Sequence, residues 1–93
     1  MGKYIIVVEK TAQKELQALK KSGDKASIKR VEIIFEELAE HPQTGTGKPE
    51  KLKFKLSGYW SRQINKKNRL IYRIDELVIT VFVVSAIGHY GDK

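Results

Sequence analysis

The sequence predicts an α+β domain in the order β-α-α-β-β-β-β, an antiparallel-rich sheet with an αα-hairpin on one face and an open basic face on the other. Three observations lead there. Apolar residues recur at spacings of three and four through the first half of the chain. The spacing falls to two from Leu52 onward, and short polar or glycine-containing turns separate the segments. Ninety-three residues, 41% of them hydrophobic, build one core, so residues 1–93 are read as a single domain.

Lys3 to Glu9 is β-branched and apolar and reads as a first strand buried on both faces. Thr11 can cap a following helix whose Ala12, Leu16 and Leu19 form one stripe. Ser22-Gly23-Asp24 is a turn, and Asp24 can accept backbone N–H bonds at the next helix N-terminus. That second helix carries Ile28, Val31, Phe35 and Leu38 on one face and ends before Pro42, with His41 capping its end. The loop 41–49 follows. Leu52, Phe54 and Leu56 alternate with Lys51, Lys53 and Lys55, the pattern of a half-buried strand whose leucines meet the helices and whose lysines face outward. Strands over Tyr59 to Lys66, Arg69 to Asp75 and Leu77 to Val84 complete the meander, the last nearly all apolar and therefore central. Trp60 and Ile64 share a face by alternation, which places both in the core.

Composition removes several classes of function. There is no cysteine, so disulfide frameworks, thiolate zinc sites and cysteine nucleophiles are excluded. Two histidines, His41 and His89, argue against a dedicated transition-metal site, and no cofactor is implied. The apolar runs are too short to span a bilayer, and Glu9 and Lys10 interrupt any signal-peptide core, so a cytoplasmic protein is expected. The net charge is +7, and its distribution is uneven. Residues 1–47 are nearly neutral, whereas Lys48, Lys51, Lys53, Lys55, Arg62, Lys66, Lys67, Arg69 and Arg73 face a single acid, Glu50, within residues 48–73. A stretch of one sign concentrates potential that attracts phosphate. The expected partner is a polyanion.

Few groups in or near that segment can move protons. Glu50 is the only acid between Glu40 and Asp75, and His89 is the one downstream side chain whose unperturbed pKa lies near neutrality. Metal-free cleavage of an RNA phosphodiester needs a base for the 2′-OH, an acid for the 5′-oxygen and a cation for the charge on phosphorus. A carboxylate, an imidazole and a guanidinium meet those needs.

Four motifs make the reading specific: Gly47-Lys48-Pro49-Glu50-Lys51-Leu52-Lys53, Leu56-Ser57-Gly58-Tyr59-Trp60-Ser61-Arg62, Asn68-Arg69-Leu70-Ile71-Tyr72 and His89-Tyr90. In order and spacing this set resembles the YoeB/Txe toxins of the RelE/ParE superfamily. The resemblance implies a RelE-like fold and the toxin of a type II toxin–antitoxin system, a ribosome-dependent endoribonuclease that cuts mRNA in the ribosomal A site and so inhibits translation. It also implies a homodimer and a cognate YefM-type antitoxin whose C-terminal segment covers the active site. Carried over by position, Glu50 matches the general base, Arg69 the arginine that stabilises the phosphate, His89 the general acid and Tyr90 the aromatic after it. Lys53 and Arg62 match basic positions that support mRNA binding, and Lys48 and Lys51 flank Glu50 as further RNA-binding candidates. Gln63 stands where a second arginine is common, Asn68 replaces a frequent histidine, and Gly91-Asp92-Lys93 extends past the usual His-Tyr end. Two alternatives stand beside it: a gyrase-inhibiting toxin of the ParE branch, which shares the fold but against which the Glu50 and His89 pair argues, and a non-catalytic RNA-binding module.

Overall fold

The computed structural model describes residues 3–86, and His89 and Tyr90 lie outside the described residues. The chain folds as β1 (Ile5–Val8), α1 (Lys10–Ser22), α2 (Lys25–Glu40), β2 (Glu50–Lys51), a 3-10 turn (Phe54–Leu56), β3 (Tyr59–Gln63), β4 (Arg69–Asp75) and β5 (Thr80–Ser85). The five strands form one mixed sheet in the order β1-β5-β4-β3-β2, antiparallel except where β1 runs parallel to β5.

Local chemistry sets the helices. Helix α1 starts at Lys10, one residue before the expected Thr11 cap, with Glu9 at the N-cap. Gly23 ends it in the left-handed region at φ 79°, a conformation that costs glycine little. Asp24 then caps α2 as its position suggests: one carboxylate oxygen accepts from the Ser27 amide at 3.1 Å and the other from the Ser27 hydroxyl at 2.7 Å. Ala12, Ile34 and Leu38 of the helices are fully buried against Leu70, Tyr72, Val81 and Val83 of the sheet, with Trp60 packed at the margin. Each buried isoleucine, leucine or valine among them contributes about 1.5–3 kcal/mol.

Three strand expectations change. First, β1 is an edge strand, so Ile6 and Val8 pack on the core while Ile5 and Val7 are exposed on the opposite face. Second, the strand expected over 51–56 is paired only at Glu50–Lys51. The Leu52 amide already donates to the Tyr59 carbonyl at 2.9 Å, so residues 53–58 must reverse the chain into β3. They do so through the 3-10 turn, with Phe54 at φ 58° and 91% exposed rather than in the core. Third, Leu77, Val78 and Ile79 form an exposed turn rather than strand. The Asp75 carboxylate accepts from the Leu77 amide, and pairing resumes only at Thr80 opposite Asp75.

Candidate active site

Strand register decides which side chains share a face. Glu50 stands opposite Ser61, Ser61 opposite Ile71, and Gln63 opposite Arg69. These residues lie on the sheet face away from the helices, whereas Trp60, Arg62, Leu70 and Tyr72 project toward the helices. Glu50 and Arg69 are therefore on one face, flanking β3. Two strand spacings and a two-residue offset place their backbones roughly 12 Å apart, a gap that two long side chains can close around a phosphodiester. Arg73 is on this face too, its guanidinium 4.1 Å from the centroid of the Phe82 ring.

This face is less open and less lysine-rich than expected. Ser61 and Ile71 on it are buried, and Ser61 Oγ is a buried side-chain oxygen with no hydrogen-bond partner among the described residues. Lys51 pairs with Trp60 and so takes the helix-side parity, while Leu52, expected to meet the helices, is buried outside the main core cluster. The cations around Glu50 come from a chain edge instead. Lys48, Lys51 and Lys53 are all exposed there, with Lys48 in the left-handed region at φ 53°.

Arg62 requires a correction. Expected to bind RNA, it is completely buried. A guanidinium carries five N–H donors, and here they meet five acceptors. Nε donates to the Tyr72 hydroxyl at 3.2 Å, and Nη1 to Glu37 Oε1 at 2.6 Å and the Thr46 carbonyl at 3.3 Å. Nη2 donates to the carbonyls of His41 at 3.1 Å and Thr44 at 2.7 Å. With every donor used inside the fold, Arg62 presents none to a phosphate. Its alternation with Trp60 and Ile64, both read as core, already carried the signal for burial.

Glu37 and Tyr72, which sequence reasoning did not single out, complete this network. Glu37 also accepts from the Thr46 amide at 2.7 Å and the Thr46 hydroxyl at 2.9 Å. The Tyr72 hydroxyl donates to the Pro42 carbonyl at 2.6 Å. Burial opposes ionisation of Glu37, but the two Thr46 donors and the Arg62 guanidinium outweigh it, holding the carboxyl below its usual value of 4.5. A carboxylate whose folded-state pKa is depressed adds stability that is full above pH 4.5 and is lost as pH falls through the lower folded value. Unfolding midpoints of the wild type should thus fall more steeply below pH 4.5 than those of Glu37→Gln. Parallel acid limbs for the two proteins would remove Glu37 from the acid response.

Other features do not compete for the chemistry. A largely apolar groove between α1 and α2, lined by Leu16, Leu19, Val31 and Phe35, lies on the helix side of the sheet. His41 ends α2, with Nδ1 3.0 Å from the Thr44 carbonyl oxygen. Among the described residues no cluster of histidine and acidic side chains is arranged to hold a metal ion, and no helix is long and apolar enough to cross a membrane.

An αα-hairpin on a five-stranded mixed sheet is the α+β fold of the small RelE/YoeB-type toxins. Residues 9–90 match the model of the YoeB-like toxins of bacterial type II toxin–antitoxin systems, and the chain belongs to that family. The YoeB toxin of Synechocystis sp. is 43% identical over 68 residues, spanning 73% of this chain and 77% of that protein. The YoeB toxin of Streptomyces coelicolor is 45% identical over 70 residues, spanning 73% and 79%. Among solved structures, the YoeB dimer of Staphylococcus aureus superimposes with a TM-score of 0.80 at 30% identity, covering 95% of this chain and 99% of that one. The toxin in the heterotetrameric YoeB–YefM complex from the same organism gives 0.77 at 31% identity, covering 94% and 98%.

Proposed function

We propose that this chain is a ribosome-dependent endoribonuclease, the toxin of its type II pair, which cuts mRNA in the ribosomal A site and thereby stops translation. The observation that carries the reading is the placement of Glu50 and Arg69 on one sheet face, flanking β3 in register with Ser61 and Gln63. Glu50 takes the proton from a ribose 2′-OH, and the freed oxygen attacks the adjacent phosphorus. Arg69 stabilises the negative charge that builds on the phosphoryl oxygens, an effect worth about 10²–10³ in rate per preorganised donor. The bond from phosphorus to the 5′-oxygen breaks, and His89 supplies that oxygen with a proton, with Tyr90, the aromatic that follows it, as the further catalytic residue. The products are a 2′,3′-cyclic phosphate and a 5′-OH end. Lys48, Lys51 and Lys53 hold the flanking phosphates, a role their exposure permits.

The reading extends to partners and place. The chain works in the cytoplasm, where ribosomes are, as a homodimer neutralised by a YefM-like antitoxin; the support is its likeness to a YoeB dimer and to a YoeB–YefM complex.

Primer extension on mRNA from cells briefly expressing the protein tests the activity. Discrete breaks inside translated codons are expected, and none in untranslated message. Intact message with arrested replication would instead point to the gyrase-directed alternative. RNA retention without new ends would point to a binding module.

A further inference from the structure

The loop that delivers Glu50 has no regular structure of its own, yet five of its residues, His41, Pro42, Thr44, Thr46 and Gly47, are tied to the rest of the fold. Arg62 takes the carbonyls of His41, Thr44 and Thr46, Tyr72 takes that of Pro42, and Glu37 takes the amide and hydroxyl of Thr46. One residue further on, the Gly47 carbonyl accepts from the Gln63 amide at 2.7 Å. Gly47 sits at φ 84°, and a Cβ there would lie 2.8 Å from the Gln63 carbonyl oxygen, so the loop is pressed against β3 as tightly as a glycine allows. Glu50 enters the sheet three residues later.

We infer that Arg62 is a positioning residue: its buried guanidinium, through the loop 41–47, fixes the backbone of Glu50 against β3 at the spacing from Arg69 that the cleavage step requires. This rests on the assignment of Glu50 as the base. The physical basis is the geometry of the donor. A guanidinium is a rigid planar fork that reaches five acceptors at once, whereas a lysine ammonium offers three donors on a flexible stem and cannot span the same set. Small misplacements of a catalytic group, of about 1 Å, cost on the order of 10²-fold in rate. Arg62 is buried beneath the sheet and touches no residue assigned to RNA, and Lys48, the next residue after the loop, is one of three exposed phosphate-holding lysines, so loss of Arg62 falls chiefly on the chemical step.

The test is single-turnover mRNA cleavage on programmed ribosomes by Arg62→Lys, below its unfolding temperature, with Glu50→Gln run in parallel. The cleavage rate should fall at least tenfold while the half-saturating toxin concentration stays within twofold, and amide hydrogen exchange should quicken at Thr46 and Gln63, whose N–H groups tie the loop to Glu37 and β3. Gly47→Ala, which keeps the guanidinium but sets a Cβ 2.8 Å from the Gln63 carbonyl oxygen and 3.2 Å from Arg62 Cβ and so forces the loop from β3, should reproduce the same split and serves should Arg62→Lys fail to fold. A folded Arg62→Lys that cleaves within twofold of wild type overturns the inference. So does a loss in which rate and half-saturation worsen together. Wild-type cleavage by Glu50→Gln would instead overturn the base assignment itself and, with it, the role given to Arg62.

Discussion

Glu50→Gln is expected to slow A-site cleavage by about 10²–10⁴-fold, the usual contribution of a positioned general base. The amide keeps the size and hydrogen-bonding reach of the carboxylate but cannot accept the 2′-OH proton. Glu50 is exposed at the sheet margin, where isosteric changes fall within about 0.5 kcal/mol, so the melting temperature should move by no more than about 4 °C. Rate and stability are thus separable at this position. The measurement is the single-turnover rate on programmed ribosomes, with thermal unfolding of the same preparation. An undiminished rate from a folded variant would place the base elsewhere. A large drop in melting temperature would mean that the carboxylate holds the fold.

The second large effect is on stability. Arg62→Ala is expected to destabilise the domain by about 3–5 kcal/mol, the range seen when one member of a buried ion pair is deleted. Glu37 keeps its two Thr46 contacts but loses its counter-charge, and the carbonyls of His41, Thr44 and Thr46 lose the donor that Arg62 supplies. A domain of this size has about 5–15 kcal/mol in total and changes its melting temperature by about 4–8 °C per kcal/mol. The expected fall therefore exceeds 10 °C by thermal or denaturant unfolding. A shift under about 3 °C would show that water replaces the guanidinium at no great cost, and that the loop needs no buried charge.

These two residues mark how far the sequence is legible. Glu50 stands out because it is the sole acid in a basic stretch, and charge is readable without coordinates. Arg62 lies in the same stretch, and the resemblance makes it a basic RNA contact, although its alternation with Trp60 and Ile64 gives it core parity. Charge and parity conflicted there, and the fold followed parity because Glu37, Tyr72 and three loop residues supply the acceptors that make burial tolerable. The alternation of Lys51 to Leu56 misled for a different reason. Period two is compatible with a strand but does not require one, and the six residues after Leu52 were needed to turn the chain into β3.

By itself, the sequence determined the α+β class, the two helices with their Gly23 and Asp24 boundaries, the strand from Arg69 to Asp75 and the motif set of the family. All of these depend on interactions between residues a few positions apart. Tertiary structure alone decided that Glu50 and Arg69, nineteen residues apart in the chain, flank the same strand on one face. It alone decided that β1 is an edge, and that Arg62 holds the loop ahead of Glu50 from within. Those outcomes depend on strand register and on which acceptors a buried guanidinium finds, and both are settled only when distant segments pack together.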